Sequence, residues 1–269
     1  MELTASQSDG IDAAYYEVAK PGTVAETVMT FCRRRMFRCF MDICAPVATE
    51  TIVDVGVSDV VETGDNMLER LYPYPAKITA VGRGHGRDFR HRFPESRFVG
   101  IGGSGSLPFD DDSFDIAVSN AVLEHVGSPQ AQKFLLSEML RVAPRVFVTI
   151  PNRYFPVEHH TGLPFVAASD RLFRVACRLV CKQKWADPAM LILMDRAALA
   201  AAAPVGTALP GGVSTVTGYT GLVAGGLSSN IYLFMDRRPI ERRSSIMCPQ
   251  PVRASSGQRT SEFARDGAD

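Results

Sequence analysis

The chain has no excess charge of either sign. Its 269 residues carry 29 basic and 29 acidic side chains. A dedicated nucleic-acid binder usually shows a strong basic excess, so this balance argues against that class and no nucleic-acid partner is expected. No uninterrupted apolar run approaches the roughly 18 residues of a membrane span. The opening residues, MELTASQSDG, are polar and acidic, unlike a signal peptide. The six cysteines (Cys32, Cys39, Cys44, Cys177, Cys181 and Cys248) include no C-x-x-C pair. That spacing argues against a zinc ribbon and fits small buried hydrophobes of a reducing, cytoplasmic protein. There is no internal repeat. Hydrophobic residues make up 46 %, enough for a sizeable core.

What is present is an alternation of strand-like and helix-like segments. Residues 23–42 read as a helix, with Val24, Val28, Phe31, Cys32, Phe37 and Phe40 loosely on one side. Buried strands are expected at 51–57, 77–83, 97–103, 114–120 and 145–152. A helix at 66–73 stops at its prolines. Another follows Ser128, a capping residue, with Pro129 at its first position and Ala131, Leu135, Met139 and Val142 on one face. Strands alternating with helices imply an α/β fold with a mostly parallel sheet covered on both faces. Ligands of such sheets bind beyond the carboxyl ends of the strands.

Residues 153–193 interrupt this rhythm and are too long for a simple connection. They contain a helix expected at 170–183, with Leu172, Ala176, Leu179 and Val180 inward and Arg171, Arg174, Arg178 and Lys182 outward. That basic face is either solvated or an attraction site for an anionic acceptor or an acidic membrane surface. Phe165, Phe173 and Trp185 either wall an acceptor pocket or form core. An alanine-rich helix at 195–203 and two strands, 213–223 and 229–236, complete the pattern as an antiparallel hairpin. The chain thus divides into an N-terminal helical segment (1–45), an α/β domain (46–236) with 153–193 inserted, and a tail (237–269) without apolar periodicity, read as disordered.

The first chemical signal is VDVGVSDV (53–60). Asp54 lies near a strand end, and Gly56 lets backbone approach a ligand. A dinucleotide fingerprint needs further glycines where Ser58 and Val61 stand, so a nicotinamide site is not supported. The second is LPFDDDSFDIAVSNAVLEHVG (107–127), an acidic turn leading into a strand and then to Glu124 and His125.

At LPF…SFD…SNAVLEHV the chain resembles the class I S-adenosylmethionine-dependent methyltransferases, in the group with the small methyltransferase domain. RVFVTIPNRYFPVEHHTGLPF (145–165) looks like a subgroup of these whose substrates are mostly unassigned. The likeness spans roughly residues 30–236. It implies a Rossmann-like seven-stranded sheet whose last strand is antiparallel, and S-adenosyl-L-methionine as cofactor. By position it places cofactor contacts at Asp54, Val55 and Gly56, at the ends of the second and third strands (Gly82 and Gly103), and at Asn120 to Leu123. The family's ribose-binding carboxylate is replaced by Gly82, followed by Arg83, and the Asp beside the adenine by Gly103. An unreplaced charge-assisted bond costs roughly 1.5–3 kcal/mol, or about tenfold to a hundredfold in affinity. Asp59, Asp65 and Asp88 are the candidate replacements from other loops.

Methyl transfer to oxygen or nitrogen needs an aligned acceptor and often its deprotonation. His125, His159 and His160 are the candidate catalytic residues, with Tyr154 and Glu158 beside them. His125 is either a base or a helix-end contact. Glu158-His159-His160 serves either substrate contact or loop packing, and adjacent histidines lack a diagnostic metal spacing, so no metal is assigned. The expected function is methyl transfer to a small molecule, glycan or lipid precursor, with peripheral membrane contact as an option. The alternative is an inactive, methyltransferase-like binding or scaffold protein.

Overall fold

The computed structural model describes residues 24–59, 66–102, 106–204 and 212–238. Seven strands form one sheet: β1 (Ile52–Val57), β2 (Ile78–Arg83), β3 (Arg97–Ile101), β4 (Ile116–Asn120), β5 (Arg145–Pro151), β6 (Ser214–Ala224) and β7 (Leu227–Asp236). Their spatial order is β3-β2-β1-β4-β5-β7-β6. The five strands β1 to β5 are parallel, and β7 runs antiparallel to both β5 and β6. This is the Rossmann-like seven-stranded sheet expected. The β6–β7 hairpin closes through Gly225 and Gly226, both at positive φ (+57° and +79°). A two-residue hairpin turn with that twist favours glycine at both positions.

Side-chain alternation explains why helices cover both faces. Ile52, Ile116, Val118, Phe147, Tyr232 and Phe234 point to one face, where α1 (Val24–Cys44) and α2 (Met67–Leu71) pack. α3 (Arg87–Arg92) joins them through Phe89, which meets Val57, Ala80 and Phe98. Val53, Val55, Ala117, Val146, Val148 and Leu233 point to the other face, against α4 (Pro129–Val142) and α6 (Arg196–Ala202). Each fully buried side chain of this size contributes roughly 1.5–3 kcal/mol, so both layers are needed. α4 begins as its sequence indicates: Ser128 Oγ accepts from Ala131 N at 3.1 Å, with Pro129 next.

Two helical faces differ from expectation. In α1 the inward row is Cys32, Met36, Phe40 and Ile43, while Val28 and Phe31 are exposed. The row follows the i, i+4 ridge that meets Phe147 and Tyr232, not the looser set read from the sequence. In α5 (Asp170–Leu179) the buried residues are Phe173 and Cys177, which pack on Trp185 and Leu191. Leu172, Leu179 and Val180 are exposed. α5 also stops at Leu179, shorter than the expected 170–183, and a 3₁₀ turn covers Gln183–Ala186.

The 153–193 segment is clasped by Arg153. Its Nε donates to Ala167 O at 3.0 Å, and its guanidinium also reaches Leu193 O and pairs with Asp170. At the other end of the chain, Arg237 Nε donates to Leu140 O at 2.8 Å and Arg238 pairs with Asp236. These two residues therefore belong to the folded part rather than to the tail. The expected N-terminal segment before residue 24 and the tail from residue 239 on lie outside the described residues. Among the described residues, no helix is long and apolar enough to cross a membrane.

Candidate active site

β1 and β4 are neighbours whose connections leave toward opposite sides, the switch point where open parallel sheets bind ligands. A cavity of about 780 Å³ opens there. Gly56, Val57, Asn120 and Pro151 line its sheet side, while Cys32 and Met36 of α1 line another wall. The volume lies in the range of small-molecule and cofactor pockets.

The strand ends are shaped by backbone features. The β1–β2 register shifts between Val55 and Val57, a bulge at Gly56, whose φ is +96°. After β4 the chain turns through Ala121 at φ +55°, an uncommon conformation for a residue with a Cβ, at the lip of the cavity. Ala121 N donates to Thr149 O at 2.9 Å, and Thr149 Oγ1 donates to Asn120 Oδ1. Ser119 Oγ donates to Val55 O at 2.8 Å, tying β4 to β1 beneath the cavity.

The predicted cofactor residues separate into groups. Gly56 and Asn120 line the cavity. Val55 and Leu123 are core residues, and Leu123 is fully buried, so its side chain is not a cavity contact. Asp54 is buried beside Glu69 of α2, and burial raises its carboxyl to about 7. Glu69 is raised as well, first by burial and then by the Asp54 carboxyl; neither of its oxygens has a hydrogen-bond partner. Gly82 is crowded: a Cβ there would meet Val57 O at 2.7 Å and Phe98 at 3.1 Å. The position therefore has no room for a carboxylate, and Arg83 reaches the cavity instead. Gly103 lies outside the described residues, as does Asp65. Asp59 accepts from Arg87 N (3.2 Å) and Phe89 N (2.9 Å), so it caps α3. Asp88 is exposed and does not line the cavity.

The three histidines share the far wall of the cavity. A tight turn presents two of them: Gly162 N donates to Glu158 O at 2.8 Å, and Glu158 N to Leu163 O at 3.0 Å. His159 is exposed to the cavity and packs edge-on to Phe155. His160 turns the other way, against Trp185, with ring centroids 4.9 Å apart. Its Nδ1 lies 2.8 Å from Glu158 Oε1. The same carboxylate accepts from His160 N, Thr161 N and Thr161 Oγ1. Burial pushes Glu158 up, but these bonds, led by His160, bring it down to about 2.

His125 comes from the 3₁₀ turn Leu123–His125 after β4. Its Nδ1 lies 2.7 Å from Met190 O, and its Nε2 lies 3.1 Å from His160 Nε2. Burial, then the neighbouring His160, pushes it down to about 4, so it is neutral at pH 7. Glu124 is buried, with both carboxylate oxygens unpartnered, and burial raises it to about 7. Its main chain is fixed by Ile192 N donating to Glu124 O at 2.8 Å. The inserted segment thus returns to buttress the turn after β4. Glu124, which adjoins His125 in the same motif, is not among the site residues expected from the sequence. Phe173 and Trp185 are core, Phe165 is exposed, and none of them lines the cavity. Tyr154 is exposed and bonds Asp195.

Residues 79–145 match a sequence profile described as a methyltransferase domain. The match runs from β2 to the start of β5 and includes the turn carrying Glu124 and His125. No curated protein matches the chain. Solved structures similar to it include an S-adenosylmethionine-dependent methyltransferase from Methanosarcina mazei, at 13% identity and a TM-score of 0.45, covering 72% of this chain and 95% of that one. A methyltransferase from Aquifex aeolicus is similar at 12% identity and a TM-score of 0.46, covering 79% and 93%. The N-methyltransferase NodS from Bradyrhizobium japonicum is similar at 12% and 0.47, covering 78% and 97%.

Proposed function

We propose that this chain is a class I S-adenosylmethionine-dependent methyltransferase that moves a methyl group to a small molecule, glycan or lipid precursor bound against the histidine wall of its cavity. The observation that carries this reading is the cavity itself. It joins the bulged end of β1 and the end of β4, where the family holds its cofactor, to a buttressed histidine cluster. S-adenosyl-L-methionine supplies an activated methyl on a good leaving group, which leaves the protein to align and deprotonate the acceptor.

The cofactor fits by position and volume: Gly56, Val57 and Asn120 would hold it at the switch point. The one carboxylate among the described cavity-lining residues is Glu158, which is committed to His160 and Thr161. A ribose partner from the described residues is therefore lacking, and this favours the second reading, a binding protein on a methyltransferase fold. At the acceptor end, His125 Nδ1 donates to Met190 O, which fixes the tautomer and leaves Nε2 toward His160 and the cavity wall. Arg33 and Arg83 line the same cavity.

Calorimetric titration of the purified protein with S-adenosylmethionine and S-adenosylhomocysteine tests the proposal. Micromolar binding of either supports the enzyme. Absence of binding to both supports the non-catalytic reading.

A further inference from the structure

We propose that Glu124, His125 and His160 form a binding site for one divalent transition-metal ion, open toward the acceptor end of the cavity. A backbone carbonyl only accepts, so His125 Nδ1, 2.7 Å from Met190 O, carries its hydrogen. Glu158 accepts from His160 N, Thr161 N and Thr161 Oγ1 and is a carboxylate, so His160 Nδ1, 2.8 Å away, donates to it as well. With both Nδ1 atoms protonated, two neutral rings would aim their Nε2 lone pairs at each other across 3.1 Å. That contact is repulsive unless a cation stands at it.

A single added proton would bridge the two rings. It would do nothing for Glu124, whose carboxyl is buried and has no partner on either oxygen. Burying such a group unsatisfied is costly. A carboxylate oxygen of Glu124 and a ring nitrogen of each histidine lie within 4.8 Å of one another. A void of about 10 Å³, about the room one water occupies, adjoins Glu124, Glu158 and His160, although His125 does not line it. Metal–nitrogen bonds of about 2.0–2.1 Å place two ligands on one ion about 3.0–3.4 Å apart. The Nε2 atoms already have that spacing, and a movement of about 1.4–1.8 Å in the Glu124 side chain completes the set.

The surroundings have the form of a metal site rather than of a chance cluster. Ligating histidines usually donate their other ring nitrogen to a carbonyl or carboxylate, which fixes tautomer and ring orientation. Met190 O and Glu158 do this here, and Trp185 packs on both rings. Two histidines and one carboxylate leave further coordination positions for water or an acceptor oxygen on the cavity side. An ion there would polarise a hydroxyl acceptor and lower its pKa. This part rests on the proposed acceptor end, whereas metal binding itself does not.

The test uses the full chain, stripped with chelator and titrated with Zn²⁺, Mn²⁺ or Co²⁺ without S-adenosylmethionine. Uptake of one equivalent is expected, with a visible Co²⁺ spectrum from nitrogen and oxygen ligands. Glu124→Gln and His160→Ala should each weaken binding by about 10–100-fold or more. If either variant unfolds, X-ray absorption on the wild-type Co²⁺ complex must still show two histidine nitrogens. Absence of stoichiometric uptake, or uptake that the variants leave unchanged, overturns the site. So does an NMR spectrum in which the two imidazoles share a proton and ignore added metal. Because no cofactor is present, failure here is separate from failure to bind S-adenosylmethionine.

Discussion

A Cβ placed on Gly56 would stand 2.3 Å from Val122 Cγ2, so the space beside this glycine is filled by the side chain that follows β4 and not by a ligand. Gly56 also has φ +96°. Gly56→Ala therefore combines an unfavourable backbone, about 1–2 kcal/mol, with overpacking of about 1–3 kcal/mol. Adding Val122→Ala should recover the packing part and leave the backbone part. Urea unfolding of the four proteins measures this, and strict additivity of the two substitutions would show that the contact is unimportant. Cofactor affinity should fall in Gly56→Ala through displacement of the bulge.

Asp54 titrates at about 7 in the folded protein because it is buried, against an ordinary value near 4. A carboxyl raised on folding binds its proton more tightly in the native state. Its contribution is therefore complete below about pH 4 and is lost as pH rises through about 7. Glu69, raised by burial and by Asp54, acts in the same direction. Stability from urea unfolding should decline between about pH 4 and pH 7, and Asp54→Asn should flatten that slope. An unchanged slope in the variant would remove Asp54 as its source.

Glu138 has the opposite sign. Hydrogen bonds from Arg141, and further ones from Leu107 N and Ser106 Oγ, hold its carboxyl down at about 2. Its contribution is present above its ordinary value of about 4.3 and is lost as pH falls through about 2. Glu138→Gln should cost about 1.5–3 kcal/mol at pH 7 and little at pH 2. Equal losses at both pH values would mean that packing, not charge, holds the 106–109 segment to α4.

The centre of the sheet was legible because β1 and β5 are buried on both faces, so Ile52 to Val57 and Arg145 to Pro151 read as short apolar runs between turns. The hairpin was legible from the short spacing between the strands read at 213–223 and 229–236, and Gly225 and Gly226 close it. The face of α5 was not legible. This helix is held by Phe173 and Cys177 against a small local core, and periodicity alone could not show that Leu172 and Leu179 lack a partner layer. In the site, position along the strands indicated Gly56 and Asn120. The meeting of His125 with His160, 35 residues apart, depends on the return of 187–192 to the turn after β4, which no local pattern encodes. Gly82 shows why an expected carboxylate is missing: the bulge at Gly56 brings Val57 O against it.

The histidines at the acceptor wall should separate in their effects. His160 joins Glu158, Trp185 and His125, while His159 contacts Phe155 and faces the open cavity. Once an acceptor is found by screening, His160→Ala should lower turnover by about 10²-fold or more, the scale of a lost acid–base group. His159→Ala should act mainly on the acceptor's KM. Affinity for S-adenosylmethionine should stay near that of the wild type in both, since neither residue adjoins Gly56 or Asn120 in sequence or in strand register. His160→Ala leaves the buried Glu158 with one donor fewer, so its folding is checked by circular dichroism and thermal melting before kinetics are compared. Partial restoration of turnover by added imidazole would assign the loss to the ring itself. Full activity in the His159→Ala, His160→Ala double variant would remove the histidine wall from the reaction. A fall in cofactor affinity with turnover preserved would instead place this segment over the cofactor, and the acceptor would have to enter from the side of α1.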